Sequence, residues 1–235
     1  MNLPLAAFPA LGLAILAILA ALVLTGCSAT GALNALQPRG GATVERNIAY
    51  APGARRTLDL YRPRSSTRLN PVVVFFYGGG WNKGNKADYA FVGAVFAGHG
   101  YLTLVPDYRL FPEVRWPDFL RDGAQAVRWA KDNALRYGGD PRRIVLVGHS
   151  AGAYNAVELA VDPRWLGEAG LDPSRDIAAV AGLSGPYDFL PLHSETLEVV
   201  FGPEDMRPDT QPINHVAPGA PPSGSHALSS SPPRV

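Results

Sequence analysis

Apolar positions along this chain occur in three patterns, and their order predicts the fold. The first is an unbroken run. No charged residue stands between Leu3 and Gly26, and the stretch from Leu11 to Leu24 is almost entirely leucine, alanine, isoleucine and valine. A run of that length and position is expected to be a signal peptide over residues 1–26. An uncleaved anchor of about 20 apolar residues is the alternative. The second pattern is alternation. Thr43–Tyr50 and Arg56–Tyr61 switch between apolar and polar in the strand period, with Pro52-Gly53 between them, and predict an antiparallel hairpin.

The third pattern is short and solidly apolar. Pro71–Tyr77, Tyr101–Val105, Arg143–Gly148 and Asp176–Ser184 read as strands covered on both faces. Helical spacing fills the gaps between them. Ala87–His99 is stopped by Gly100, and Trp116–Tyr137 is stopped by Gly138-Gly139. The latter carries an apolar stripe of Phe119, Ala126, Val127, Ala130 and Ala134. Ala151–Val161 follows, and Glu195–Phe201 predicts a shorter helix. Strand and helix alternate from residue 71 to about 184. This predicts an α/β domain with a doubly wound, mostly parallel sheet over residues 43–216 and an antiparallel pair at its start.

Composition narrows the function. A net charge of +1, with both signs mixed along the chain, gives no electrostatic footprint for nucleic acid. The chain has one cysteine, Cys27, so neither an internal disulfide nor a multi-cysteine zinc site is available. Leu24-Thr25-Gly26-Cys27 resembles the lipobox of bacterial lipoproteins. That resemblance implies cleavage before Cys27, lipid attachment to its thiol and a place at the membrane of the cell envelope. Residues 27–42, small and polar, are expected to be a tether.

Two motifs carry chemistry. Gly148-His149-Ser150-Ala151-Gly152 fits G-x-S-x-G and lies between a buried strand and a helix, the setting a nucleophile elbow requires. The alternative is an ordinary turn capped by Ser150. Tyr77-Gly78-Gly79-Gly80-Trp81 follows the first parallel strand. Its glycines allow main-chain N–H groups to face a pocket, and with the N–H of Ala151 they could hold an oxyanion. The spacing fits neither common nucleotide-binding glycine motif. Trp81 is expected to pack over the loop or wall the pocket.

These motifs, together with Leu58-Asp59-Leu60-Tyr61, Pro106-Asp107-Tyr108-Arg109-Leu110 and Asp140–Ile144, resemble the esterase/lipase group of α/β-hydrolases. The group includes carboxylesterases like hormone-sensitive lipase, the BD-FAE subgroup and kynurenine-formamidase-like enzymes. The resemblance implies a serine esterase that needs no metal or organic cofactor and acts on a small-molecule ester. Ser150 would be the nucleophile, and Gly78, Gly79 and Ala151 the oxyanion donors. Asp107 and Arg109 would form a structural ion pair. An arylformamidase or amidase of the same fold is a lesser alternative.

The resemblance also implies an acid after the strand that follows Asp176–Ser184, and a histidine after the strand beyond. From Ala217 onward, 15 of 19 residues are Ala, Pro, Ser or Gly, a composition expected to be disordered and unable to make a buried strand. The expectation is a longer esterase truncated or frameshifted near residue 216, with an incomplete C-terminal sheet edge. His99 is expected to cap a helix and His149 to line the pocket or pack. His193, His215 and His226 are poor candidates for the base, and Asp188 is the best remaining acid. A catalytically inert hydrolase-like lipoprotein is therefore the competing reading.

Overall fold

The computed structural model describes residues 29–36 and 42–226, which fall into two units, 1–37 and 38–235. In the first unit, Ala29–Leu36 is a helix, α1, where a tether was expected. Alanine and leucine are among the strongest helix formers, and this segment is rich in both. No helix among the described residues is long and apolar enough to cross a membrane. The apolar N-terminal run and Cys27 lie outside the described residues.

The second unit opens with β1 (Ala42–Ala49) and β2 (Thr57–Pro63), the antiparallel hairpin that their alternation predicts. Then follow β3 (Asn70–Phe76), α2 (Ala90–Gly98), β4 (Leu102–Pro106), α3 (Asp118–Asn133), β5 (Gly139–His149) and α4 (Ala151–Val161). Short helices α5 (Pro163–Glu168) and α6 (Pro173–Asp176) precede β6 (Ala179–Leu183), and α7 is Glu195–Phe201. The apolar stripe of the long helix faces inward, with Phe119, Ala126, Val127, Ala130 and Ala134 all buried. Each fully buried Val, Leu or Phe in this core stabilises the fold by about 1.5–3 kcal/mol.

The strand order explains where a site can form. From one edge it runs β1, β2, β4, β3, β5, β6, and then a final strand β7 (Ser223–His226). β2 pairs antiparallel with β1 and β4, and the remaining pairs are parallel. The chain steps from β3 outward to β4, then returns to the other side of β3 as β5. Right-handed crossovers taken in opposite directions put α2 on one face of the sheet and α3 and α4 on the other. Between the C-terminal ends of β3 and β5 the order reverses, and such reversals are where open α/β sheets form crevices. Both sequence motifs lie there.

β7 is a correction. Residues beyond 217 were expected to make no strand, yet Ser223–His226 pairs in parallel with Val180–Leu183. A composition of Ala, Pro, Ser and Gly rules out only a strand buried on both faces. This one lies at the sheet edge with Ser223 and Gly224 exposed, so main-chain hydrogen bonds hold it without apolar side chains. Residues 227–235 contain no aspartate, glutamate or histidine.

Candidate active site

Ser150 sits between the last residue of β5 and the first of α4 with φ 53° and ψ −121°, a conformation non-glycine residues rarely adopt. Main-chain contacts impose it. Ser150 N–H donates to the Leu183 carbonyl at 2.8 Å, and its own carbonyl accepts from Ala153 N–H at 2.9 Å. The flanking glycines are sterically required. A Cβ on Gly148 would lie 2.1 Å from the Gly152 carbonyl oxygen, and one on Gly152 would lie 2.1 Å from that of Phe76. The bend thus folds β5, α4 and the end of β3 together more closely than any side chain would allow. Ser150 remains partly exposed while Gly148, Ala151 and Gly152 are buried.

The glycine loop meets this bend. A Cβ on Gly78 would stand 2.9 Å from the His149 carbonyl oxygen and 3.0 Å from Ser150 Cβ. Gly79 has φ 137° and Gly80 φ 59°, and the turn is closed by Lys83 N–H to the Gly79 carbonyl at 3.1 Å. The four residues Ser150, Gly78, Gly79 and Ala151 therefore belong to one bend-and-loop junction. Trp81 packs: it is buried among Phe119, Tyr154, Phe189 and Phe201 and donates its indole N–H to Asn155 Oδ1 at 3.0 Å.

A buried polar network holds the loop from behind. Tyr108 Oη donates to the Tyr77 carbonyl at 2.7 Å, and the two rings stack at 4.7 Å. Tyr77 Oη donates to Asp107 Oδ1 at 3.0 Å, and burial, reinforced by the Asp107 charge, pushes its phenol well above the usual range. Lys86 Nζ pairs with Asp107 Oδ2 at 3.0 Å. The expected Asp107–Arg109 ion pair does not form. Arg109 instead forks onto Asp122, with Nε and Nη2 each 2.8 Å from a carboxylate oxygen. Both residues lie past the end of β4, where no strand pleat aligns positions two apart, and each finds its own counter-ion.

Tyr89 is a site residue that sequence patterns did not single out. Its hydroxyl lies 3.0 Å from His149 Nδ1, and the Gly78 main-chain N–H is close enough to favour its ionised form. Burial nevertheless raises the Tyr89 phenol overall and lowers the His149 imidazole, which holds that ring neutral near pH 7. Three other histidines are elsewhere. His99 Nδ1 lies 2.8 Å from the Val95 carbonyl at the end of α2, and His193 is exposed. His215 packs against Glu158 and Asp162, at least two turns along α4 from Ser150. Asp188 is exposed. None of His99, His149, His193 and His215 hydrogen-bonds to Ser150 Oγ.

The model of the BD-FAE family matches residues 58–223. The chain belongs to the BD-FAE family. The match contains both the glycine loop and the serine bend and reaches the start of β7. A probable isoprenylcysteine alpha-carbonyl methylesterase of Oryza sativa is 38% identical over 151 residues, covering 63% of this chain and 36% of that protein. Esterase LipC of Mycobacterium tuberculosis is 31% identical over 196 residues, covering 75% of this chain and 48% of its own. The chain thus spans between about a third and a half of the length of these curated relatives. Esterase B from Lactobacillus rhamnosis, solved inhibited by a tributyrin phosphonate, has the same fold with a TM-score of 0.74 and 22% identity. That comparison covers 90% of this chain and 74% of the esterase.

Proposed function

We propose that this BD-FAE family member is a carboxylic ester hydrolase using Ser150 as its nucleophile. The observation that carries the proposal is the bend at Ser150, held at φ 53° with Gly78 packed against it. Ser150 Oγ attacks the ester carbonyl carbon, and the carbonyl oxygen becomes an oxyanion as the π electrons move onto it. The main-chain N–H groups of Gly78, Gly79 and Ala151 serve as its donors. One such donor is worth roughly 3–4 kcal/mol of transition-state stabilisation. Collapse of the intermediate breaks the C–O bond to the leaving group, which departs as the alcohol with the proton given up by the Ser150 hydroxyl; water then hydrolyses the acyl-enzyme, releasing the carboxylic acid and restoring that hydroxyl. The esterase names of the relatives support this class, and a small-molecule ester is the substrate. Cys27, acylated at the membrane of the bacterial cell envelope, is the proposed anchor.

The second reading, an inert hydrolase-like lipoprotein, is favoured by one observation: His99, His149, His193 and His215 make no hydrogen bond to the Ser150 hydroxyl. An unassisted serine hydroxyl is a weak nucleophile. Hydrolysis of p-nitrophenyl acetate and butyrate by the purified protein, beside Ser150→Ala, separates the two. Turnover that disappears in the variant supports the hydrolase. Equal rates in both proteins support the inert reading. Loss of radiolabelled palmitate incorporation in Cys27→Ala tests the anchor.

A further inference from the structure

We infer that Glu158, Asp162 and His215 form a binding site for a divalent cation of the zinc type, remote from Ser150. Each residue offers a ligand atom, and these atoms lie within 4.8 Å of one another. Glu158 and Asp162 are one turn apart, the spacing that puts two side chains on the same helix face. His215 comes from the segment after α7, and its Nε2 is 3.8 Å from Glu158 Oε1.

The independent observation is the state of Glu158. It is fully buried, and neither carboxylate oxygen has a hydrogen-bond partner within 3.5 Å, although the Trp165 indole N–H is near enough to favour the ionised form. A buried carboxylate without a partner is strongly disfavoured, so the site must take up a proton or a cation. The surrounding charge favours a cation of charge two. Glu158, Asp162 and Asp209 bring three carboxylates to this corner, whereas Arg164 brings one guanidinium, bonded to both Asp162 and Asp209. Two negative charges are left over. An imidazole with carboxylates is a donor set for zinc and its neighbours, whereas magnesium and calcium prefer oxygen alone.

Binding requires modest rearrangement. Zinc holds nitrogen and oxygen ligands at about 2.0–2.2 Å, so the three side chains must close inward. His215 Nε2 now lies 2.8 Å from the Asp209 carbonyl and must exchange that contact for the ion, with its ring proton carried on Nδ1. Arg164 keeps Asp209 and yields one edge of Asp162. The bound ion would fasten the segment around residues 209–215 to α4, a junction already made by Tyr154 Oη on the Thr210 carbonyl at 2.8 Å. A proton on Glu158 is the competitor, because a fully buried carboxylate needs one or the other.

The test is calorimetric titration of the untagged, metal-free full chain with zinc chloride at pH 8, beside Glu158→Gln and His215→Ala. The expected result is one equivalent bound by the parent protein, with affinity at least about tenfold weaker in each variant. The thermal midpoint should rise with zinc in the parent only. Glu158→Gln preserves the shape of the side chain, and melting curves without metal establish that both variants fold. Absence of zinc binding, or unchanged binding in either variant, overturns the site and leaves Glu158 as a buried neutral acid.

Discussion

The two ends of helix α4 contrast in how they are built. At its N-terminus, main-chain contacts and glycines hold Ser150, and the residue is left partly exposed. Toward its C-terminus, side chains do the work: Glu158 is buried and unpaired, and its neighbours come from residues about fifty positions further on. A site made by backbone geometry tolerates no added atom but is indifferent to pH. A site made by charged side chains tolerates isosteric change but responds to protons and cations. The same buried helix carries both kinds, which makes each a control for the other.

The contrast can be broken at several points. The largest effect is expected from Ser150→Ala, which should lower esterase kcat by at least about 10⁴-fold while leaving urea unfolding nearly unchanged. An unaltered rate would end the nucleophile assignment. Gly152→Ala should destabilise the fold by about 3 kcal/mol or more, because its Cβ would lie 2.1 Å from the Phe76 carbonyl oxygen. Urea midpoints measure this, and a wild-type midpoint would show that the bend can relax.

At the other end, Glu158→Gln sharpens the comparison through pH. Burial raises the folded-state carboxyl to about 8, above its unfolded value of about 4.3. The folded protein thus binds the proton that the unfolded chain releases, and stability falls as pH rises between those values. In the presence of EDTA, the parent should lose on the order of 2–4 kcal/mol relative to Glu158→Gln between pH 5 and pH 8. Parallel pH profiles of unfolding would contradict this. The smallest effect is expected for Tyr89→Phe. Loss of the hydroxyl on His149 should cost about 1 kcal/mol of stability and change kcat less than tenfold, read by chemical denaturation and steady-state kinetics.

How much of this was legible in the sequence follows from the same contrast. The hairpin, the parallel strands and helix Glu195–Phe201 were visible because each has a local period and local stop signals. The bend was visible because its steric demand fixes glycine at two nearby positions, 148 and 152. β7 was missed because an edge strand is held by its main chain and leaves no apolar signature. Helix α1 was missed because small residues serve equally as linker and as helix former. The pairings of Asp107 and Arg109 were misassigned because positions two apart beyond a strand end need not face each other, and their partners Lys86 and Asp122 lie elsewhere in the chain. Glu158 left one faint signal, a lone carboxylate in an otherwise uncharged helix.

By itself the sequence determined the alternation of strand and helix, the sharp bend at residue 150 and the glycine loop after β3. These depend on side-chain size and period within a few residues, which the chain carries locally. Tertiary structure alone decided that the loop would meet the bend, that Tyr89 would reach His149, and that His215 would settle beside Glu158 and Asp162. Those contacts depend on the reversal of strand order between β3 and β5 and on how distant segments pack over α4. Such placement is a collective result of core burial, and no local pattern encodes it.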